Sequence, residues 1–421
     1  MENAMKRSFA RSGIVCAVLM AGLAGGGAAL GGSGTYSVGA NDTEILLGQT
    51  MPYSGPASAY GAGGQVQLAY WKMLNSRGGI NGRKITMISL DDGYTPPKTV
   101  EQTRRLVEQD EVLAVFSSPG TPTNAAVQRY LNQKEVPQLL IGTGGSRWNN
   151  PAQFKWTVPF FPSYTQEAKA YAQYILRVKP DAKIGILYQN DDFGKDYVKG
   201  LKDGLGDKAD LIKLEQSYDV TAPTIDSQLV SLKAAGVDVL VTATIPKFGA
   251  QAIRRVAELD WHPLHFISYV SSLVGSVLEP AGLEASKGLI SVAVLKDIHD
   301  PQWADDSGVK EYRKFLAEWY PSGNPDDSGI QMAYSAAQLL EIILKNCGDV
   351  LTRESVLQQT TSLKGVSLPT LLPSVTVTVT PTDYYPFDNF YLATFNGERW
   401  VPMKEKISTR AGVAAASATP R

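Results

Sequence analysis

Residues 85–116 read ITMISLDDGYTPPKTVEQTRRLVEQDEVLAVF, and the order of apolar and amphipathic runs in this stretch decides the fold. Ile85–Leu90 and Val112–Phe116 are short and largely apolar, as expected for strands that are covered on both faces. Between them, Lys98–Gln109 has the spacing of an amphipathic helix. Because two parallel strands need a crossover connection of about this length, the stretch predicts a strand–helix–strand unit in a parallel sheet.

The same alternation continues on both sides of this stretch, up to a break at the proline-punctuated residues 149–162. It then restarts and predicts a second series of helices and strands. The predicted elements of the first series are a strand at 45–51, a helix at 64–77, a helix at 123–134 and a strand at 138–141. Those of the second series are helices at 166–178, 195–205, 225–235 and 248–259, and strands at 184–188, 211–214, 237–241 and 265–267. We therefore expect an α/β protein with two doubly wound parallel-sheet lobes.

A third block begins near Leu289 and has a different pattern. It predicts helices at 309–319 and 330–346, a further helix from Arg353, and an edge strand at 375–380. Phe390–Phe395 and Trp400-Val401 predict a terminal hairpin with Asn396-Gly397 at its turn. Residues 404–421 predict a flexible tail.

The first residues predict export. Lys6 and Arg7 precede a short apolar run and then small residues, which is typical of a secretory signal peptide over residues 1–29, with cleavage after Ala29 or as late as Ala40. Cys16 lies inside the run, so no lipid anchor is expected. We expect a periplasmic, monomeric protein without a transmembrane helix, and without an internal disulfide because Cys347 is the one cysteine left after cleavage.

Composition argues against several functional classes. The chain has 40 basic and 41 acidic residues and no long basic stripe, so nucleic acid is not an expected partner. It has 3 histidines, and G-x-S-x-G, H-E-x-x-H and a P-loop are all missing from the sequence. We therefore expect no enzyme activity, no metal and no cofactor. After signal removal about 385 residues remain, enough for two domains.

An ordered set of short motifs carries a family resemblance. The motifs are MPYSGP at 51–56 followed by Tyr60-Gly61, NSRGGINGR at 75–83, Asp91-Asp92, TPTNAA at 121–126 and NDDFG at 190–194. From about Glu44 to Val401 the chain resembles the type I periplasmic substrate-binding proteins of branched-chain amino acid ABC transporters.

The resemblance implies two lobes joined by three crossover strands, placed near 158–161, 289–292 and 385–389. Lobe 1 would comprise residues 44–158 and 292–386, and lobe 2 residues 159–291 and 387–403. The lobes would close on a small ligand and deliver it to a membrane permease. A ligand sensor that regulates a partner protein is the alternative for this fold, and a hydrolase is a third.

The loops after the strands supply the candidate ligand contacts. Thr121 stands at a predicted helix start, where its hydroxyl and free backbone N–H groups favour an anion; a plain helix cap is the alternative. The resemblance implies that this position and the loop at 142–146 hold a ligand carboxylate, with backbone approach at Gly144 and a hydroxyl from Ser146, or from Thr143 under a one-residue shift.

Aromatic residues are expected to cover the body of the ligand. These candidates are Tyr60 after the first strand, Tyr164 and Phe193 across the cleft, and Tyr269 after the last strand of lobe 2. For Tyr60, Tyr164 and Phe193, packing in a lobe core is the alternative interpretation.

One position departs from the family. Amino-acid-binding members have an acid after the last strand of lobe 2 that pairs with the ligand's ammonium, and here the position is Val270. A buried ammonium without a charged partner costs several kcal/mol. The ligand is therefore either a branched-chain amino acid, with Asp191, Asp192 or Asp219 as the ammonium partner, or an aromatic or aliphatic acid without an amino group.

Overall fold

The computed structural model describes residues Gly34–Thr409. The predicted signal peptide over residues 1–29, with the candidate cleavage site after Ala29, lies outside the described residues, as do residues 410–421 of the predicted tail. The alternative cleavage site after Ala40 falls within the described part of the chain. No helix in the described part of the chain has both the length and the hydropathy of a membrane span. Cys347 is buried and free.

The strands form two large sheets and two small pairs. Their bounds are β1 Thr35–Tyr36, β2 Glu44–Met51, β3 Lys84–Asp91, β4 Ala114–Phe116, β5 Gln138–Ile141, β6 Thr157–Pro159, β7 Ile184–Gln189, β8 Ile212–Tyr218, β9 Val239–Ala243, β10 Leu264–Ile267, β11 Ile290–Ala293, β12 Val350–Leu351, β13 Leu363–Val366, β14 Val377–Val379, β15 Asn389–Phe395 and β16 Trp400–Ser408.

The α-helices cover both faces of the large sheets. They are α1 Gly61–Ser76, α2 Pro96–Glu108, α3 Thr121–Gln133, α4 Tyr164–Val178, α5 Asp192–Leu205, α6 Asp226–Ala234, α7 Pro246–Glu258, α8 Glu279–Ala281, α9 Leu283–Ser286, α10 Ser307–Trp319, α11 Ser328–Cys347 and α12 Arg353–Thr360.

Both sheets are doubly wound. The first has the order β3-β2-β4-β5-β6, with every pair parallel. The second has the order β16-β15-β11-β10-β9-β7-β8. Its strands β7, β8, β9, β10 and β11 are parallel, whereas β15 pairs antiparallel with both β11 and β16 at one edge. In each sheet the order reverses beside the first strand, and open α/β sheets bind ligands at such a reversal. The predicted fold class is confirmed.

The chain passes between the two sheets three times. It leaves the first sheet after β6 and enters the second. After β11 it returns to the side of the first sheet, where α10 and α11 pack against α1 and β12 pairs with β1, and between β14 and β15 it enters the second sheet again. These passages lie at the segments where the sequence predicts crossovers. We call the part built on the first sheet lobe 1 and the part built on the second sheet lobe 2; the residue bounds given above for each lobe stay a prediction.

The predicted tail is wrong at its start. Residues 404–408 belong to β16, where Ser408 pairs with Asn389 of β15. The side chain of Gln166 also donates to the carbonyl oxygen of Thr409 at 2.8 Å. The error has a physical cause: β16 is an edge strand whose outer residues, Lys404 to Lys406, are exposed, so the charge-rich sequence resembles a solvated tail.

Candidate ligand-binding site

A cavity lies where the carboxyl ends of the two sheets meet. The wall comes from loops that follow strands in both sheets. Its residues include Met51, Tyr60, Tyr94, Ser117, Thr121, Leu140, Phe160, Phe161, Tyr164, Phe193, Ile245, Tyr269, Val270, Leu273, Asp327 and Ile330. The two strand-order reversals therefore face a common space.

Five of the eight predicted contacts line this cavity. They are Tyr60, Thr121, Tyr164, Phe193 and Tyr269. The other three, Thr143, Gly144 and Ser146, lie in the predicted loop but outside the cavity wall. Each of these three makes contacts that explain its position.

Thr143 is wholly buried and orients Thr121. Its Oγ1 atom lies 3.3 Å from both Trp148 Nε1 and the hydroxyl of Tyr164, and each of these groups donates to it. A hydroxyl has two acceptor positions and one donor, so Thr143 donates its own proton to Oγ1 of Thr121, 2.6 Å away. Thr121 then keeps its proton for an acceptor, and within the described residues its Oγ1 has no other partner. The cavity thus receives a hydroxyl donor that suits an anionic oxygen.

The start of α3 adds backbone donors at the same place. The residue before the helix, Gly120, has no side chain that could cap it. Pro122 has no N–H, and the N–H of Asn124 donates to the carbonyl oxygen of Gly120 at 3.3 Å, so within the described residues the N–H groups of Thr121 and Thr123 are the free backbone donors of this first turn. Gly120 precedes it with φ of 94°, and an added Cβ would lie 2.4 Å from the Tyr94 ring, so glycine is required for this close approach. The positive end of the helix dipole favours a negatively charged group here.

Gly144 is a packing position. A Cβ on Gly144 would lie 1.8 Å from the carbonyl oxygen of Pro162, in the first crossover segment. Its own carbonyl oxygen accepts from the backbone N–H of Tyr164 at 3.0 Å. Gly144 therefore fixes the start of α4, and with it the Tyr164 ring in the cavity wall.

Ser146 binds a carboxylate of the protein itself. Its backbone N–H and its hydroxyl donate to the two carboxylate oxygens of Asp196, on α5 of lobe 2. In this structure the Ser146 hydroxyl, which the sequence assigns to the ligand, is taken by Asp196, and so is the backbone N–H of Ser146. The position of the loop puts Ser146 beside lobe 2, where Asp196 of α5 lies within hydrogen-bonding distance.

Aromatic rings form a large part of the cavity wall. Tyr164 meets Phe193 edge-on at 4.9 Å between ring centroids, and Phe161 meets Tyr269 edge-on at 5.1 Å. Burial raises the pKa of Tyr164, so its hydroxyl stays protonated. Among the described residues, no Lys, Arg or His lines the cavity. A ligand body there meets apolar rings and aliphatic groups.

The acids are distributed differently from the prediction. Val270 lines the cavity, as an apolar residue where amino-acid binders have an acid. Of the proposed substitutes, Asp191 is bound by Gln189, while Asp192 and Asp219 are exposed. None of the three is in the cavity wall.

Asp327 is the acid that does line the cavity, and sequence reasoning missed it. It caps α11, where its Oδ1 accepts from the N–H of Gly329 at 2.8 Å, and burial raises the pKa of its carboxyl. The signal was an Asp directly before a helix, which is typical of a cap and carries no sign of a cavity.

Three wall residues have strained backbone. Tyr94, Ser117 and Leu140 have φ of 61°, 55° and 51°, a region that residues other than glycine adopt rarely. Leu140 interrupts β5, whose register with β6 shifts between Leu139 and Ile141. Strain of this kind concentrates at binding sites, and here it marks one side of the cavity.

Metal chemistry finds no support at this site. Across Gly34–Thr409, no group of His, Cys, Asp and Glu side chains has an arrangement that could hold a metal ion. The buried His265 has its pKa lowered to about 3 by desolvation, so its ring is neutral.

Comparisons with known proteins agree with the fold. A family profile described as periplasmic binding protein matches residues 44–399. Leu/Ile/Val-binding protein homolog 7 of Brucella abortus (strain 2308) is 22% identical over 297 residues, which cover 66% of this chain and 73% of that protein.

Solved structures share the fold. A branched chain amino acid ABC transporter protein from Thermus thermophilus with bound valine has a TM-score of 0.77 at 17% identity, covering 87% of this chain and 97% of that one. A solute binding protein of an ABC transporter from Rhodopseudomonas palustris BisB5, in complex with 3,4-dihydroxybenzoic acid, has a TM-score of 0.73 at 18% identity, covering 87% and 98%.

Proposed function

The chain belongs to the periplasmic binding protein family, and on that basis we propose that it is the extracytoplasmic solute-binding component of an ABC importer. It captures a small carboxylate-bearing ligand between its lobes, closes over it and delivers it to a membrane permease. The main observation in support of this proposal is the cavity, which is lined by loops from both sheets near the points where their strand order reverses.

The ligand's carboxylate binds at the start of α3. The uncapped helix terminus and the Thr121 hydroxyl, whose proton is left free by Thr143, together supply donors for a negative charge. Hydrogen bonds to a charged group contribute about 1.5–3 kcal/mol each, so a few such donors offset the lack of a cationic side chain.

The ligand's body is apolar and bulky. Rings such as Tyr164 and Phe193, together with Val270, make the wall around the ligand's body largely apolar. The Brucella abortus relative is named for Leu, Ile and Val, and the Rhodopseudomonas palustris protein holds 3,4-dihydroxybenzoic acid. Both ligand classes combine a carboxylate with an apolar body, and we favour an aromatic or branched aliphatic acid without an α-amino group.

An α-amino acid is the second candidate, and Asp327 is the observation in its favour. Its carboxyl is the acidic group in the cavity wall that an ammonium would meet. Two facts weigh against it: Oδ1 of Asp327 already accepts a hydrogen bond from Gly329, and burial raises the pKa of its carboxyl because desolvation disfavours the charged form.

A thermal-shift screen tests the proposal. The ligand panel contains benzoates, phenylpropenoates, short-chain acids and the branched-chain amino acids. We expect one or more non-amino acids to raise the unfolding midpoint in a concentration-dependent way. Failure of every carboxylate to do so contradicts the proposal. Uptake of the best acid should be lost in cells without this gene, whereas cells lacking a sensor would retain uptake.

A further inference from the structure

A second cavity lies beside the first, next to the second crossover. Its wall includes residues of β11 and of the segment that follows it, together with Val274, Ser328 and Trp400. Tyr269 and Ser328 line both cavities. The two spaces are therefore neighbours that share a wall.

The Tyr269 ring is the larger part of that shared wall. The residue is 6% exposed, and within the described residues its hydroxyl has no hydrogen-bond partner. Its ring meets Phe161 edge-on at 5.1 Å on the side of the first cavity. Because no hydrogen bond holds the hydroxyl, this side chain affects the two cavities through the space that its ring fills.

The backbone around Tyr269 is held firmly. Its N–H donates to the buried carboxylate of Glu167 at 2.9 Å, and its carbonyl oxygen accepts from the hydroxyl of Ser272 at 2.8 Å. The indole N–H of Trp400 donates to the carbonyl oxygen of Ser272 at 2.8 Å. Because three hydrogen bonds fix this short loop, the backbone holds the Tyr269 ring in one position. A longer ligand could not displace the ring without breaking these bonds.

The chemistry of the second cavity suits an apolar extension. Val292, Val294 and Ile298 line it with the Trp400 ring. The charged residues in its wall are Lys296, Asp297, His299 and Asp326, and each has a partner within the protein. The ammonium of Lys296 is bound by Asp306 at 2.7 Å, Asp297 accepts from the backbone N–H groups of His299 and Trp400, and the His299 ring is hydrogen-bonded to Asp326. The Lys296 cation is therefore not free to recruit a second carboxylate. A flexible hydrocarbon segment would bury its surface there.

We propose that Tyr269 is a specificity-determining residue that limits ligand length by separating the two cavities. Removing the ring joins them, and the second cavity then accepts the distal part of a longer acid. This inference rests on the proposed function, because it concerns the far end of a carboxylate ligand held at the start of α3.

The test measures affinities for a graded series of probes: benzoate, phenylacetate, 3-phenylpropanoate, 4-phenylbutanoate and 5-phenylpentanoate. Wild-type protein should bind best at a short member and lose at least about tenfold beyond it. Tyr269→Ala should move the optimum to a longer member. Each methylene newly buried in the second cavity should tighten binding about fourfold, which corresponds to ~0.8 kcal/mol.

Three matched variants keep the test decisive. Tyr269→Phe keeps the ring and should keep the wild-type length profile. Tyr269→Leu is a milder truncation for use if the alanine variant does not fold, and should shift the optimum in the same direction. Val274→Phe added to Tyr269→Ala narrows the second cavity and should restore the preference for short probes.

The outcomes separate the two proposals. A uniform loss of affinity across the series in Tyr269→Ala, with an unchanged optimum, overturns the partition role but leaves the proposed function standing. Absence of binding by every probe to wild type and variants alike overturns the carboxylate assignment, and this inference with it.

Discussion

The carboxylate of Asp196 accepts two hydrogen bonds from Ser146, one from the backbone N–H at 2.6 Å and one from the hydroxyl at 2.7 Å. Ser146 follows β5 of the first sheet, whereas Asp196 lies on α5, which follows β7 of the second. Asp196 is 8% exposed, and burial raises the pKa of its carboxyl while the Ser146 bonds oppose that shift. The pair therefore joins the lobes across the edge of the cavity.

Breaking this pair should speed ligand release. In Asp196→Asn the new NH₂ group faces a donor of Ser146, and the charge that strengthened both bonds is gone. The Asn oxygen can still accept one of the two bonds, so about one bond of 1.5–3 kcal/mol is lost, which corresponds to a roughly 10- to 150-fold faster dissociation. Stopped-flow measurement of release of the best acid from the screen checks this.

The matched control is the neighbouring pair of Arg147 and Asp192, which also joins the lobes at 2.7 Å but is solvent-exposed. An exposed pair contributes about 0–1 kcal/mol, so Asp192→Asn should change release less than about fivefold. Equal release rates in the two variants would show that Asp196 does not hold the lobes together.

Glu167 should make stability depend on pH near neutrality. Burial raises the pKa of its carboxyl from the ordinary 4.5 to about 7. Because the folded state holds this proton more tightly than the unfolded chain, the stabilisation is complete below about pH 4.5 and is lost as pH rises through about 7. The loss is on the order of 3 kcal/mol, at 1.36 kcal/mol per pKa unit.

Urea unfolding between about pH 5 and pH 8 measures this effect. The free energy of unfolding should fall more steeply with pH for wild type than for Glu167→Gln, whose amide still accepts from the N–H of Tyr269. The difference between the two curves removes the contribution of the other titrating groups. Parallel curves would mean that Glu167 carries no excess proton in the folded state.

Substitutions of Thr121 and Thr143 should differ in their effects on acid binding and on the free energy of unfolding. Thr121→Val removes the donor at the cavity and should weaken acid binding roughly 10- to 150-fold. It also leaves the buried Thr143 hydroxyl without its acceptor, which should lower the free energy of unfolding by about 1–3 kcal/mol. Thr143→Val leaves two buried donors unpaired, those of Trp148 and Tyr164, so it should lower the free energy of unfolding further than Thr121→Val does. Calorimetry and urea unfolding on both variants provide the comparison; equal acid binding by Thr121→Val and wild type would remove Thr121 from the site.

The sequence predicts the layers of the fold well because buried parallel strands are short apolar runs. It places helix starts late: α3 begins at Thr121 and not Thr123, and α5 at Asp192 and not Lys195. First turns hold prolines, glycines and capping acids, which contribute nothing to apolar periodicity. The error matters here because the first turn of α3 is where the ligand's charge is expected.

The site is predicted less completely than the fold. Loop register decides whether Ser146 faces a ligand or Asp196, and it depends on contacts between lobes that are far apart in sequence. The position of Leu140 depends on a register shift in β5 that the sequence pattern does not predict. Asp327 looks like any helix cap until the packing of α11 puts it in the cavity wall.

The most direct measurement is calorimetry on matched ligands that differ by one group. Suitable sets are 4-methylpentanoate with 4-methylpentanamide and leucine, and 3-phenylpropanoate with 3-phenylpropanamide and phenylalanine. We predict that in at least one set the acid binds ten or more times tighter than its amide, that the α-amino group brings no gain, and that Asp327→Asn leaves the acid's affinity unchanged. Tight binding of leucine or phenylalanine, weak binding of both desamino acids, and loss of the amino acid's affinity in Asp327→Asn would contradict this and make Asp327 the ammonium partner.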